Sequence, residues 1–303
     1  MEKLELKDIF EIKYNMPEKY SSSTASMIKK EDGYRVNLRG VNYILTQKGG
    51  YISRHGDDII RTVNFILDYD QQFNLKNVIE IKNNTDIPLY PKNILGMEDI
   101  RLINDTNYFF CTYPEVNNSR TPQICWGTYD ENGNVNRIVP LIVDDVLKCE
   151  KNWMPFMYQN RLLFIYSIRP FRLFEINIET GELTEIKNIS YGDKYLNDFR
   201  GSACPISYKS GWLCTIHQVF HADPRKYFHR FIWFDENFTE IKYSLPFYFE
   251  TPSIEFNLSL CKIDESEEIL ITYSCNDSNS LIAKVDFNII DERLSKGYKL
   301  ALE

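Results

Sequence analysis

Two adjacent carboxyl side chains and a nearby arginine form the part of this sequence best suited to acid–base chemistry. They are Glu98, Asp99 and Arg101, and an apolar stretch follows them. If the segment is a strand, successive side chains alternate, so Asp99 and Arg101 share one face and Glu98 takes the other. The pattern predicts either a surface ion pair or a carboxyl group placed to transfer a proton.

Four basic side chains stand in or beside apolar, strand-like segments further along the chain: Lys151, Arg169, Arg200 and His217. A single cation in such a place usually reaches toward solvent or forms an ion pair. Four of them on separate strand units can instead converge on one anion. Phosphate suits such donors, and arginine offers it two parallel N–H groups. The second reading predicts a phosphate site.

The composition narrows the class of protein that can carry these groups. The chain has 303 residues, of which 43% are hydrophobic and 14% aromatic, and a formal net charge of -8. Abundant aromatic residues favour strands and suit a site that stacks on sugar faces. The acidic balance argues against a general nucleic-acid partner, which needs a basic surface, but it permits a local basic pocket.

Neither a membrane segment nor an export signal is predicted. The sequence has no apolar run of membrane-spanning length, and its first 15 residues alternate in charge. The seven cysteines are odd in number and include no Cys-x-x-Cys pair. Buried free thiols in a reducing compartment explain them, so we expect a cytoplasmic protein.

The elements that must position the polar groups are short strands joined by polar turns, which predicts an all-β fold of the sandwich, barrel or propeller type. Groups of two to four strands recur about every 50–60 residues, beginning near residues 34, 98, 151, 200 and 256. Five such groups predict a five-bladed β-propeller, with the site at the mouth of its channel. We expect one domain over residues 1–303, with residues 1–30 as an N-terminal surface extension.

Two local patterns have metal-binding alternatives. Asp68 and Asp70 match the Asp-x-Asp of metal-dependent glycosyltransferases, but those enzymes use an α/β fold, so a polar turn after Leu67 is the preferred reading. The residues His221, Asp223 and His229 have no established metal-ligand spacing. We therefore predict no metal and no cofactor. His229 and Tyr227 have the further reading of bordering a phosphate or acceptor site.

The order of these segments resembles the β-mannoside phosphorylases of glycoside hydrolase family 130 and their transferase relatives in glycosyltransferase family 108. The Glu-Asp-Ile-Arg sequence at 98–101 resembles the family's Glu-Asp-Pro-Arg, and Gly-Trp-Leu at 211–213 followed by His217 resembles its Gly-Trp-Leu…His. The stretch from Pro246 to Glu255 and the Asn-Asp at 276–277 resemble two further segments. The similarity runs from about Arg39 to Asp277, and members of the family are five-bladed propellers.

The resemblance implies a role for particular positions. Asp99 would be the general acid, acting through a hydroxyl of the sugar. The phosphate-binding residues would be Lys151, Arg169, Arg200 and His217. The substrate-binding residues would be Asn64, Arg101, Tyr227, His229, Glu255 and Asp277.

Two departures bear on the reaction. Ile100 replaces the family's proline, and Arg200 stands where many members have lysine. The segments VNLRGVNY and YFHRF are similar to putative glycosyltransferases of viruses and bacteria, which favours a phosphorylated sugar or a sugar nucleotide as donor. The resemblance implies an enzyme that transfers a glycosyl residue between a small sugar and a phosphate-containing partner. It also implies that this residue is mannosyl. The alternatives are a glycoside hydrolase of the same fold and a non-catalytic propeller that binds glycans or proteins.

Overall fold

The computed structural model describes residues 1–46, 50–103, 106–119, 121–143, 150–192, 196, 198–222 and 225–301. These ranges are built mainly from β-strands, as the sequence predicted. The strands are β1 (Glu2–Lys3), β2 (Lys7–Glu11), β3 (Ser21–Lys30), β4 (Gly33–Val41), β5 (Tyr43–Leu45), β6 (Tyr51–Ser53), β7 (Ile60–Asp70), β8 (Leu75–Glu80), β9 (Lys82–Asn83), β10 (Ile94–Leu95), β11 (Glu98–Leu102), β12 (Tyr108–Thr112), β13 (Ile124–Tyr129), β14 (Asn134–Pro140), β15 (Met154–Tyr158), β16 (Arg161–Ser167), β17 (Phe171–Ile176), β18 (Leu183–Ile189), β19 (Arg200–Gly201), β20 (Ile206–Tyr208), β21 (Gly211–Phe220), β22 (Lys226–Asp235), β23 (Glu240–Tyr243), β24 (Phe247–Tyr248), β25 (Glu255–Lys262), β26 (Glu268–Cys275), β27 (Asn279–Asp286) and β28 (Tyr298–Ala301).

The described strands form five sheets of four or more strands and one two-stranded hairpin, β5–β6. Sheet I contains β3, β4, β7, β8 and β10, and sheet II contains β9 and β11 to β14. Sheet III contains β15 to β18. Sheet IV contains β1, β19 to β24 and β28, and sheet V contains β2 and β25 to β27. The helices in the described ranges are a 3₁₀ turn, Pro114–Val116, and α1, Phe287–Ser295.

Buried apolar clusters join the sheets in a closed order. Separate clusters pack sheet I against II, II against III, III against IV, IV against V, and V against I. Trp153 stacks on Phe164 at 4.7 Å within the cluster between sheets II and III. Each sheet thereby buries both of its faces, and the arrangement is propeller-like, with at least four of the sheets placed as blades. That all five sheets are blades stays a prediction.

Polar side chains tie neighbouring inner strands together around a central channel. Ser26 on β3 donates to the Ile100 carbonyl on β11 at 2.6 Å, and Met27 N donates to Ser259 Oγ on β25 at 2.8 Å. One cavity of about 580 Å³ is lined by residues of β3, β11, β15, β20 and β25. These strands therefore surround one space, which brings residues distant in sequence together.

The prediction that residues 1–30 form a surface extension was wrong. β1 pairs with β24 in sheet IV and β2 pairs with β27 in sheet V. Leu4 and Ile12 are buried, and β3 is a largely buried strand of sheet I. The charge alternation of this segment reflects the exposed edge strands β1 and β2, whose partners lie more than 200 residues away in the sequence.

Two further properties concern thiols and membranes. Six of the seven cysteines lie in the described ranges, and all six are free, four of them buried, as expected. None of the helices described here is long and apolar enough to span a membrane.

Candidate active site

Asp99 lies on β11 in an unusual backbone conformation. Its φ angle is +51°, and the pairing of β11 with β12 shifts register between Glu98 and Arg101. Aspartate tolerates a positive φ better than most residues. The local twist breaks the strand alternation, and as a result Glu98 and Asp99 contact the same guanidinium. The prediction that these two carboxylates point to opposite faces was therefore wrong.

The shared guanidinium belongs to Arg39 on β4, which is buried. Its Nη2 donates to Glu98 Oε1 at 2.6 Å and its Nη1 donates to Asp99 Oδ1 at 2.9 Å. Thr24 Oγ1 on β3 donates to the same Asp99 oxygen at 2.9 Å. Sequence reasoning missed Arg39 and Thr24 as site residues. The one available signal was a charged residue within the apolar strand pattern of β4.

Asp99 is ionised when the site is empty. Burial acts to raise its pKa, but Arg39, Lys151 and Arg101, with the Thr24 hydroxyl, outweigh burial and lower the pKa. The side chain is 23% exposed, so a ligand can reach it. An acid catalyst must be protonated, so an acid role for Asp99 requires a ligand that weakens the hold of these cations.

Lys151 and Arg101 are the other two basic residues whose charges act on Asp99. Lys151 Nζ lies 3.8 Å from Glu98 Oε2. Arg101 is buried, and its Nη1 donates to the Ser202 carbonyl on sheet IV. Its Nη2 is buried without a hydrogen-bond partner in the described structure. Arg101 therefore has one N–H donor group, Nη2, that no described residue accepts from, between sheets II and IV.

His217 and Arg200 lie across the β19–β21 pair from each other. They are register partners, and a Ser202 Oγ lies 2.8 Å from His217 Nδ1. Burial first, and then His229, Arg200 and Arg101, hold the pKa of His217 well below its usual range. The expectation of four cations thus needs correction, since His217 is neutral and offers hydrogen bonds rather than charge.

A glycine lets β19 of sheet IV approach the segment before β15 of sheet III. A Cβ on Gly201 would lie 2.2 Å from the Asn152 carbonyl, so only glycine allows this approach of β19 to the segment before β15. Arg200 and Lys151 adjoin these two residues. Arg169 follows β16 at the same end of sheet III, where it is exposed and donates to the Tyr191 carbonyl at 3.1 Å. No described contact joins Arg169 to the other basic groups.

Tyr227 and His229 lie on β22 beside His217. The Tyr227 ring stacks on the His217 ring at 5.8 Å, and burial followed by Asp277 raises the pKa of Tyr227 to about 12. His229 is fully buried, 4.6 Å from the Phe249 ring, and burial lowers its pKa to about 3. Its ring nitrogens make no hydrogen bond of normal geometry in the described structure. Tyr227 therefore borders the site, whereas His229 lies behind it.

Two predicted substrate contacts have structural partners instead. Asn64 is buried, accepts from Asn37 at 3.1 Å and donates to the Met97 carbonyl at 2.8 Å, which supports the segment before Glu98. Glu255 is fully buried. Its carboxylate accepts from three successive backbone N–H groups, of residues 249, 250 and 251, at 2.7–2.8 Å. Any sugar contact by Asn64 or Glu255 remains a prediction.

Asp277 and two tyrosines, Tyr43 and Tyr51, complete the set of residues around the candidate active site. Tyr43 on β5 donates to Asp277 Oδ2 at 3.0 Å, and the Tyr51 ring on β6 meets the Tyr43 ring at 4.7 Å. Tyr51 is 51% exposed and Asp277 is half-buried. The β5–β6 hairpin therefore forms an aromatic edge beside the carboxylates. Sequence reasoning missed this hairpin, which no motif marked.

The metal-binding alternatives have little geometric support. Asp68 accepts two hydrogen bonds from Arg35, at 2.6 and 2.9 Å, and Asp70 accepts from two backbone N–H groups of the following turn. The strand reaches Asp70 rather than ending at Leu67, and the polar turn follows it. Asp223 lies outside the described residues. Elsewhere in the described structure, no three His, Cys, Asp or Glu side chains cluster as metal ligands.

Comparisons with known proteins connect this geometry to a fold. No protein-family profile matches the chain, and no curated protein matches it in sequence. Among solved structures, a β-1,2-mannobiose phosphorylase from Listeria innocua has a TM-score of 0.62 at 12% identity, over 95% of this chain and 99% of that one. A mannose phosphorylase from Leishmania mexicana, in complex with phosphate ion, has a TM-score of 0.54 at 11% identity, over 99% and 93%.

A third structure extends the comparison to hydrolases. It represents the GH130 family of mannoside phosphorylases, described as containing glycoside hydrolases that target β-1,2-mannosidic linkages in Candida mannan. Its TM-score is 0.54 at 12% identity, over 88% of this chain and 84% of that one. The chain therefore has the fold of the GH130 mannoside phosphorylases.

Proposed function

We propose that the protein transfers a glycosyl residue, specifically mannosyl, to or from a phosphate-containing partner, as a glycoside phosphorylase or a glycosyltransferase. The observation that carries the proposal is the partly exposed Asp99 carboxylate, on which the charges of Arg39, Lys151 and Arg101 act. Solved structures of the same fold are named as mannoside phosphorylases, one of them in complex with phosphate ion. The five sheets joined by five apolar clusters support a five-bladed propeller with the site at the channel mouth.

The phosphate would be held by two arginines, a lysine and a histidine. Arg101 Nη2 lacks a hydrogen-bond partner in the described structure, and Arg200 is exposed opposite His217 on the neighbouring strand. Lys151 adds charge, and the neutral His217 ring adds hydrogen-bonding capacity. Two-pronged binding by arginine suits a phosphate group. Arg169 stays a candidate ligand at the same end of sheet III.

Such an anion would also make Asp99 a better acid. Arg39, Lys151 and Arg101 lower the pKa of Asp99 against the opposing effect of burial. A bound phosphate adds negative charge beside Asp99 and draws these cations toward itself, and both effects raise the pKa of a neighbouring carboxyl group. The proton needed at the bridging oxygen would thus be retained at Asp99 only when phosphate is present.

The chemistry then needs few further groups. Glycosidic bond cleavage requires a proton at the bridging oxygen and a nucleophile at the anomeric carbon. A phosphate held by cations is already a nucleophile, so no base is required to activate it. In the synthetic direction the same cations neutralise the leaving phosphate. No cofactor or metal takes part in the proposal, and the free thiols support a cytoplasmic location.

A product assay tests the proposal. The protein is incubated with mannose 1-phosphate or GDP-mannose and a panel of sugar acceptors, and oligosaccharide and released phosphate or nucleotide are measured. The reverse assay supplies β-mannosides with and without inorganic phosphate. We expect phosphate- or nucleotide-linked transfer; absence of product with every donor would overturn the proposal and favour a non-catalytic binding propeller.

Substitution of Asp99 provides a matched comparison. Because positioned acid catalysis contributes about 10²–10⁴-fold, Asp99→Asn should lower kcat/KM by about that factor. Asp32→Asn makes the same chemical change at an exposed turn and should leave kcat/KM unchanged. Equal activities of the two variants would contradict the role of Asp99.

A hydrolase of the same fold is the second candidate. The observation that favours it is the further carboxyl group of Asp277 beside the site, because a hydrolase needs a carboxylate to activate water. The GH130 neighbour described with glycoside hydrolases agrees with this alternative. Release of free sugar at a rate independent of phosphate would support hydrolysis over phosphorolysis.

A further inference from the structure

The three carboxyl groups near Arg39 differ in how they are neutralised. Glu98 and Asp99 both accept hydrogen bonds from Arg39, and Glu98 also faces Lys151. Asp277 is different, since in the described ranges no basic side chain lies within ion-pair distance of it. Its hydrogen bond comes from the Tyr43 hydroxyl, at 3.0 Å. Asp277 therefore has the weakest electrostatic support of the three.

The backbone holds Asp277 in this position. Asn276 and Asp277 have φ angles of +54° and +48°, in the turn between β26 and β27. Two successive residues with positive φ are uncommon outside glycine and need support from their surroundings. The turn directs the Asp277 carboxyl group toward Tyr43 on the β5–β6 hairpin. The Tyr43 hydroxyl thus holds the Asp277 carboxyl group beside the β5–β6 hairpin.

We propose that Asp277 holds the proton of the ligand-free site, which Asp99 delivers once the substrates are bound. The inference rests on the proposed function and adds a second carboxyl group to it. When like charges share a site, the proton goes to the group with the least cationic support. Asp277 is that group, whereas Asp99 has Arg39 and the Thr24 hydroxyl to stabilise its charge.

The charges around Asp277 agree with this assignment. Burial raises the pKa of Asp277; Arg39 and the Tyr43 hydrogen bond oppose burial, while Asp99 and Glu98 add to it. The titratable or charged groups that interact with Asp277 come from several elements: Arg39, Tyr43, Tyr51, Glu98, Asp99 and Tyr227. Arg54 and Arg225 line the same pocket as Asp277, but neither forms an ion pair with it in the described structure. Arg39 acts on Asp277 from a distance, and its two terminal nitrogens donate to the other two carboxylates.

The proton transfer can be written as a balanced step. The proton leaves the Asp277 carboxyl group for a hydroxyl group of the bound sugar, and that hydroxyl passes its own proton to Asp99. Asp99 then gives a proton to the bridging oxygen of the glycosidic bond. The bond from that oxygen to the anomeric carbon breaks with its electron pair going to oxygen. An oxygen of hydrogen phosphate forms the new bond to the anomeric carbon. Asp277 is left as a carboxylate and regains a proton from solvent.

The experiment needs no substrate. Infrared difference spectroscopy follows the carbonyl band of protonated carboxyl groups as the ligand-free protein is titrated with base. We expect a band that persists above the usual aspartate pKa of about 3.9. This band should be lost in Asp277→Asn. It should be retained in Asp99→Asn, but there its midpoint should move to lower pH, because that variant lacks the neighbouring negative charge of Asp99. A band lost in Asp99→Asn and retained in Asp277→Asn would overturn the proposal.

A second variant keeps the test valid if Asp277→Asn folds poorly. Tyr43→Phe preserves the ring but removes the hydroxyl that stabilises ionised Asp277, so the band midpoint should rise in pH. An unchanged midpoint would contradict the assignment. Glu255, whose pKa burial also raises, contributes equally to every variant and cancels in the differences. Because this readout is independent of turnover, its failure would leave the proposed transfer reaction standing.

Discussion

At the scale of single residues, the environment of a side chain decides its charge more than its type does. Asp99 is ionised because Arg39 bonds to it, although it is partly buried. His217 and His229 are neutral because burial removes the water that would stabilise their charged forms. The site therefore contains fewer charges than the count of its acidic and basic residues indicates.

Removal of Arg39 should be costly because two carboxylates depend on it. Arg39→Gln leaves Glu98 and Asp99 without their main counter-ion, and loss of one partner of a buried pair costs about 3–5 kcal/mol of unfolding free energy. Urea unfolding at neutral pH measures this. Arg161→Gln, in an exposed pair with Glu175, should cost about 1 kcal/mol or less.

The pH dependence of the Arg39 effect has a definite sign. Ionised Asp99 has a lowered pKa in the fold, so its contribution is present above the unfolded pKa and is lost as the pH falls through the folded one. The difference between wild type and Arg39→Gln should therefore shrink below about pH 3.9. A difference that stays constant would show that the loss is one of packing alone.

His229 should make the protein less stable in mild acid. Its folded pKa, about 3, lies below its unfolded value, so its contribution is lost as the pH falls below about 6.5. Each pH unit below that value should cost about 1.4 kcal/mol. His229→Leu should flatten the pH dependence of the urea midpoint, whereas His221→Leu, at an exposed position, should not. An equally steep decline in all three proteins would contradict a buried neutral His229.

At the scale of elements, the site is assembled by irregularities in otherwise regular strands. The register shift in β11 turns Glu98 and Asp99 toward one partner. Gly201 permits the close approach of β19 to the segment before β15. Glu255, at the start of β25, fixes the loop at 249–251 by three backbone hydrogen bonds. These features position side chains without taking part in chemistry.

Glu255→Gln should reveal whether Glu255 acts through structure or through substrate. An amide keeps only one acceptor oxygen, so at least one buried N–H loses its partner, at about 1–3 kcal/mol. We expect a lower urea midpoint, with KM for the sugar nearly unchanged at temperatures where the variant is folded. A raised KM at unchanged stability would instead support the sugar contact implied by the family resemblance.

At the scale of the whole molecule, the ring of sheets is closed by segments from opposite ends of the described chain. β1 joins sheet IV and β2 joins sheet V, alongside strands beyond residue 240. Leu4 lies between these two strands and enters the apolar cluster that packs sheet IV against sheet V. The contacts of this N-terminal segment therefore hold together sheets that both border the site.

Leu4→Ala tests the importance of this closure. Loss of a buried leucine side chain costs about 2–5 kcal/mol, so the urea midpoint should fall clearly. Met1→Ala, at a position 69% exposed, should have almost no effect. An effect of Leu4→Ala as small as that of Met1→Ala would mean that the N-terminal strands do not stabilise the ring.

Local pattern by itself was enough for the class of fold, which is all-β. Alternating apolar runs between turn signals predicted strands because side-chain direction in a strand repeats every two residues. The six free thiols of the described ranges also follow the expectation from sequence. The expectation that Asp99, Lys151, Arg169, Arg200 and His217 line one pocket stays a prediction. What failed locally was the face assignment of Glu98, since it assumed a regular strand where the backbone adopts a positive φ.

Only the tertiary structure decided the partners and charges within the site. The site depends on interactions between residues far apart in the sequence, such as those of Arg39, Tyr43 and Tyr51 with Asp99 and Asp277. No local pattern encodes such interactions. The same applies to β1 and β2, whose partners lie near the other end of the chain. Residue type sets which protonation states are possible, but burial and neighbouring charges select among them. Sequence thus determined which groups are present, and the closed ring of sheets determined which of them meet and which carry charge.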